Sequence, residues 1–251
     1  MPRYFLELSY CGTQYNGWQI QSNTDKTIQK ILSDVLSVTL RHPVTLVGCG
    51  RTDTGVHAKQ FFAHFESDTL SSHPFDFWLH KWNSMLPDDI AIHNILPVKD
   101  TAHARYSARS RTYQYFIHQK KDPFLFQYSW YFPHPLDHKK ILTAISKLPL
   151  HTDFACFTKH AHEYENTHCI IYLAKWEIID HQIIFTISAN RFLRNMIRSI
   201  VGTLIQVGTE KISLSDFENI LKSKDRTKAG FSAPPQGLHL AEIVYPSYIF
   251  L

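Results

Sequence analysis

The chain has 251 residues, 44% hydrophobic and 19% charged, with only 9 glycines and 12 prolines, so disordered, collagen-like and low-complexity classes are excluded. A chain of this length buries roughly 70 to 75% of its unfolded surface, enough for one large domain or two lobes. Lys and Arg number 26 against 22 Asp and Glu, a mild net charge of +4. No apolar run approaches the roughly 18 residues of a membrane helix, and the opening passes from Met1-Pro2-Arg3 straight into a strand pattern, so a cytoplasmic protein with no membrane segment is expected.

Leu6, Leu8 and Tyr10 alternate with Glu7 and Ser9, the period of a half-buried strand, and residues 11–17 supply turn formers. Ile28, Ile31, Leu32, Val35, Leu36 and Leu40 fall at helical spacing behind capping residues, which predicts an amphipathic helix over 27–40, stopped by Pro43. Strands at 44–49 and 60–66 flank a loop bracketed by Gly50 and Gly55, and a short helix at 75–86 precedes a strand at 90–98. After a basic segment, 112–118 reads as a strand, 137–148 as a helix, and 170–179 with 182–188 as a hairpin turning at Asp180-His181. Residues 191–207 read as a core helix with Phe192, Met196, Ile200 and Val201 on one side and Arg191, Arg194 and Arg198 along another. Residues 215–221 follow before a last strand at 238–245. This order predicts an α+β protein of two similar lobes, 1–105 and 106–251.

The four cysteines, Cys11, Cys49, Cys156 and Cys169, lie far apart and form no CxxC pair, so reduced, buried thiols are expected. Basic charge is local. Residues 99–121 hold six Lys or Arg against one acid, Asp100, and residues 189–208 carry Arg191, Arg194 and Arg198 with no acid. Each stretch is either a solvated face or a surface for a polyanion. Gly50 and Gly55 have the spacing of a phosphate loop, but Val56-His57 stand where Lys and Ser or Thr would contact phosphate and magnesium. His162-Glu163 opens like a zinc-protease helix, yet Asn166 sits at the second ligand position, and no GxSxG turn occurs. His160, His162 and His168, near Cys156 and Cys169, match no common zinc spacing, so no metal site is expected.

The informative segment is Gly50-Arg51-Thr52-Asp53-Thr54-Gly55-Val56-His57-Ala58, with one carboxylate mid-loop between two glycines. Taken by itself, Asp53 is better explained as a turn former. The segment, however, closely resembles the catalytic loop of the A-type tRNA pseudouridine synthases, the family that isomerises uridines in the anticodon stem-loop of tRNA (positions 38 to 40). Four further blocks agree in order: Tyr10-Cys11-Gly12-Thr13 with Tyr15-Asn16-Gly17-Trp18-Gln19; Ala108-Arg109-Ser110-Arg111-Thr112-Tyr113-Gln114-Tyr115; Asp153-Phe154 with Phe157; and Arg191-Phe192-Leu193-Arg194-Asn195-Met196-Ile197-Arg198 with Val201-Gly202, before a closing Gly237-Leu238-His239-Leu240. The pattern departs at Asn166-Thr167-His168-Cys169 and at Thr158-Lys159, where many relatives carry arginine.

The resemblance implies a mixed, mainly antiparallel central sheet flanked by helices, an active-site cleft between the two lobes, a homodimer, and tRNA as the partner. It also implies that Asp53, Tyr113 and Arg198 are catalytic, with Arg198 paired to Asp53, and that Arg51, His57, Arg109, Arg111, Arg194 and Leu240 serve substrate binding. The chemistry suits these residues. Breaking the bond between ribose and N1 develops positive charge at C1′, which an ionised carboxylate stabilises or attacks; removal of a C2′ proton is the alternative route. Tyr113 has a face to stack on uracil and a hydroxyl to take the C5 proton directly or through another base. The reaction is an isomerisation without net redox change, so no cofactor is expected. The rival readings are a catalytically idle RNA-binding protein, which has no use for an acid in a phosphate-facing site, and a metal-dependent hydrolase, which needs clustered acids.

Overall fold

A computed structural model describes all 251 residues. Its elements in chain order are β1 (Arg3–Tyr10), α1 (Ile28–Leu40), β2 (Val47–Gly48), β3 (His57–Glu66), α2 (Phe75–Asn83), β4 (Ile90–Val98), β5 (Ser110–His118), β6 (Trp130–Tyr131), α3 (His138–Ile145), β7 (Ile171–Ile179), β8 (Gln182–Ala189), α4 (Met196–Gly208), α5 (Leu214–Ser223) and β9 (Leu238–Val244). Five helices and nine strands, paired mainly antiparallel, make this an α+β protein. No helix is long and apolar enough to cross a membrane. Two compact units are distinguished: Met1–Arg109 with His239–Leu251, and Ser110–Leu238. The C-terminal segment, read from sequence as part of the second lobe, thus packs with the first unit.

In the first unit β1 lies between β3 and β4, antiparallel to both, and β9 joins β3 in parallel through His57↔His239 and Ala58↔Leu240. The even residues of β1, Tyr4, Leu6, Leu8 and Tyr10, are buried as the alternation predicts, and Tyr4 meets Phe75 of α2 edge-on at 5.9 Å. Phe5, on the opposite face, is buried as well, because Tyr245 and Phe250 close over it at 5.2 and 6.3 Å. Thr27 caps α1 by accepting from Lys30 N, and Ile28, Leu32, Leu36 and Leu40 form its buried stripe. The strand expected at 44–49 shrinks to a two-residue ladder, and β3 begins three residues earlier than expected, at His57. Helix α2 stops at Asn83, whose side chain donates to Ile92 O and accepts from Ile92 N, both at 2.8 Å.

In the second unit β8 lies between β5 and β7, antiparallel to both, with the β7–β8 turn at Asp180 and His181 and Asp180 at φ 55. Ile117, Ile183, Phe185 and Ile187 are fully buried on the sheet, and Phe154, Phe157, Ile200, Leu204 and Phe217 complete the core. Helix α5 is closed by a capping box, Ser213 with Asp216. Cys49, Cys156 and Cys169 are buried thiols, whereas Cys11 is half-buried.

One expectation is corrected here. Residues 191–195 are not helical: α4 begins at Met196, and Asn195 before it takes a left-handed φ of 63°. The Asn190 side chain accepts from both Ile170 N (2.8 Å) and Arg191 N (2.9 Å), which ties this stretch to the residue before β7 instead of letting the helix extend. Arg191 and Arg194 therefore share no helical stripe with Arg198.

Candidate active site

The loop bearing Asp53 is shaped by the segment 10–18. Trp18 N donates to Thr52 O at 3.2 Å, the Tyr10 hydroxyl meets Thr52 Oγ1 at 2.8 Å, and Gly55 N donates to Tyr15 O at 3.3 Å. Within the loop, Val56 N closes a turn onto Asp53 O at 3.1 Å, and Gly55 takes φ 77. Gly17 is needed for close approach, since a Cβ there would stand 2.4 Å from Thr52 O. Trp18 in turn stacks on Phe61 at 4.1 Å and is almost wholly buried. The two-part block around Tyr10 and Trp18 is thus the cradle of the loop.

Asp53 is half-buried and Arg51 exposed. Arg51 Nε donates to Gln19 Oε1 at 3.1 Å; the Gln19 amide donates to Gln29 (2.8 Å) and Gln29 to Leu46 O (2.8 Å), so a chain of glutamines orients the guanidinium. His57 and Leu240, expected at the substrate, are only 6% or less exposed and lie in the β3–β9 ladder. His57 Nδ1 accepts from Gly12 N at 3.1 Å and its ring lies 4.5 Å from His239, so it props the loop from below. Arg109, at the end of this unit's first segment, is exposed, with its N–H donating to Val244 O.

The second unit holds the remaining residues. Tyr113 is half-buried on β5, opposite Ile187, with Phe192 edge-on at 5.3 Å. Tyr115, two residues on, belongs to the core: its hydroxyl donates to Pro234 O at 2.7 Å, and burial pushes its pKa well above the usual phenol range, with Arg198 acting the other way. Arg198, in the first turn of α4, is half-buried; its Nε donates to Ala233 O at 2.6 Å and its carbonyl accepts from Ala233 N at 2.9 Å. Gly202 lets residues 231–233 pass close to this helix, since a Cβ there would come 1.8 Å from Phe231 O. Arg111 donates to Asn190 O at 3.0 Å. Arg191 lies 5.5 Å over the Tyr164 ring, while the backbone N–H of exposed Arg194 donates to the Tyr164 hydroxyl oxygen.

Asp153, of the Asp-Phe block, is structural. Burial raises its pKa, but Lys224 at 2.9 Å, Thr167 and Ala155 N outweigh this and hold it at about 2. Burial also pushes the Cys156 thiol up to about 12 and Cys169 to about 11, so neither is a ready nucleophile. The supporting residues not marked by any sequence motif are Tyr164 and Ala233. Their only signal was proximity in the fold.

Relatives of known sequence match this chain along its whole length. A family profile described as tRNA pseudouridine synthase matches residues 148–246. Proteins named tRNA pseudouridine synthase A from Porphyromonas gingivalis and Bacteroides fragilis are 42% and 43% identical, covering all of this chain and 100% and 99% of their own lengths. The chain belongs to the tRNA pseudouridine synthase A family. A more distant member from Gloeobacter violaceus is still 37% identical over 97% of the chain. The family resemblance read from five separated blocks therefore extends through the elements between them, and both units share it.

Proposed function

We propose that the protein converts uridine to pseudouridine in tRNA, within the anticodon stem-loop, and that it does so without a cofactor. The observation that carries the conversion of uridine in tRNA is the relationship of 42% identity along the full length to a protein named tRNA pseudouridine synthase A. Asp53 acts at C1′, either by attack or by assisting loss of the C2′ proton, as the N1 glycosidic bond breaks. The freed uracil turns, C5 bonds to C1′, the C5 proton leaves and N1 takes up a proton, so substrate and product are isomers. Tyr113 lies beneath the base, and its phenolic oxygen takes up that proton, directly or through another base, as its own hydroxyl proton passes on, so the ring stays neutral. Arg198 supplies the positive charge partnered with the carboxylate. Arg51, Arg109, Arg111 and Arg194 hold phosphates, which sets register without reading sequence. The target nucleotide leaves its stack at a cost of a few kcal/mol, lowest where stem meets loop. Two copies of the chain act on one tRNA as a homodimer.

The deciding experiment is tritium release from tRNA labelled at uridine C5, followed by mapping of the product. Release with pseudouridine in the anticodon stem-loop supports the reading. Tight tRNA binding with no release would make the protein an idle RNA binder, and sedimentation as a monomer with full activity would remove the dimer.

A further inference from the structure

Tyr15 and Asp89 take no part in the chemistry above. Asp89 directly precedes β4, whose first residue, Ile90, pairs with Tyr10 at the end of β1. Its backbone carbonyl accepts from Cys11 N at 2.9 Å, and its carboxylate accepts from the Tyr15 hydroxyl. One residue therefore grips both flanks of the single 3₁₀ turn Gly12–Gln14. That turn abuts the Asp53 loop. Tyr15 O accepts from Gly55 N, Gly12 N donates to His57 Nδ1, and Gly12 has no room for a side chain, since a Cβ would stand 2.0 Å from Val56 O. The Tyr15 ring is 7% exposed, and burial, followed by the bond to Asp89, raises the pKa of its hydroxyl, so it remains a donor throughout the working range.

We propose that the Tyr15–Asp89 hydrogen bond is a positioning device for the reaction: it presses the 12–15 turn against the 50–56 loop and so sets where the Asp53 carboxylate stands relative to C1′ of the bound uridine. Both are positioning residues, acting through Gly55 and Val56. The inference rests on Asp53 acting at the sugar. Strand pairing of β1 with β4 runs from Arg3↔Val98 to Tyr10↔Ile90 without help from the Tyr15 side chain, so the fold survives loss of the bond.

The test compares Tyr15→Phe, which removes one oxygen, Asp89→Ala, which removes the acceptor, and Asp89→Asn, which keeps an accepting oxygen, alongside Asp53→Asn. Single-turnover rate and tRNA Kd are measured for each. The expected result is a rate lower by about tenfold or more for Tyr15→Phe and Asp89→Ala, with Kd within about twofold of wild type, because small misplacement of a reacting group costs rate before affinity. Asp89→Asn retains most of the rate, and the Tyr15→Phe, Asp89→Ala double variant is no slower than the slower single one. Wild-type rates in Tyr15→Phe and Asp89→Ala beside an inactive Asp53→Asn overturn the positioning role, as does a loss confined to Kd. An active Asp53→Asn overturns instead the reading beneath it. If Asp89→Ala fails to fold, the rate of Tyr15→Phe decides.

Discussion

Asp53 has its loop backbone bound from Trp18, Tyr15 and its own turn, so replacing the carboxylate by an amide changes charge and leaves the scaffold in place. Asp53→Asn is expected to lose turnover by at least about a thousandfold, roughly 4 kcal/mol of barrier, with tRNA binding retained; product counting beside a filter-binding curve checks both halves. Tyr113→Phe keeps the ring that meets Phe192 at 5.3 Å and removes only the hydroxyl, so tritium release should stop while RNA binding continues. Unchanged release would show the hydroxyl to be dispensable. Away from the site, His64 is 6% exposed on β3 and its Nδ1 accepts from Ala104 N at 3.1 Å. Burial first, then His103 and Arg3, push its pKa down to about 4, against a smaller opposing pull from Glu66. The unfolded chain takes up this proton near 6.5 and the fold only near 4, so between those values the unfolded state binds more protons. The contribution is complete above about pH 6.5 and is lost as pH falls toward 4. His64→Asn, which places an oxygen where Nδ1 accepts, should flatten the denaturation midpoint across that window.

At the scale of elements, α4 shows how a glycine can be worth more than its helix propensity. Gly202→Ala would gain about 1 kcal/mol of intrinsic helix preference. The added Cβ, however, would meet Phe231 O at 1.8 Å, and backbone cannot swing aside as a flexible side chain can. Overpacking of this kind costs about 1 to 3 kcal/mol, so a net loss of stability is expected, read as a lower urea midpoint. A higher midpoint would mean that residues 231–233 move freely from the helix. The N-terminus of the same helix was the least legible feature in the sequence. Arg191, Arg194 and Arg198 have helical spacing, and Phe192, Met196 and Ile200 have an apolar period, yet the first turn is lost to Asn190 and to the left-handed Asn195. Side-chain competition for backbone groups decided the boundary, and such competition leaves no periodic trace.

On the scale of the whole molecule, the net charge of +4 is too small to make the surface a general polyanion trap, so tRNA affinity is expected to depend on the local basic stretches. It should fall steeply with salt through counterion release, and Arg109→Ala should reduce the slope of log affinity against log salt by about 1 while leaving single-turnover rate nearly unchanged. A salt-independent affinity would contradict phosphate contact. The local patterns that the sequence contains were enough by themselves for β1, α1, β4 and the β7–β8 hairpin, and for the Gly50–Ala58 motif, because alternation, helical period and turn residues act over a few positions. Only the tertiary structure decided that β9 joins β3 in parallel, that His57 and Leu240 are buried in that ladder, and that Asp89 reaches Tyr15 across 74 positions of chain. Contacts of that span follow from how whole faces bury against one another, and no short stretch of residues encodes them.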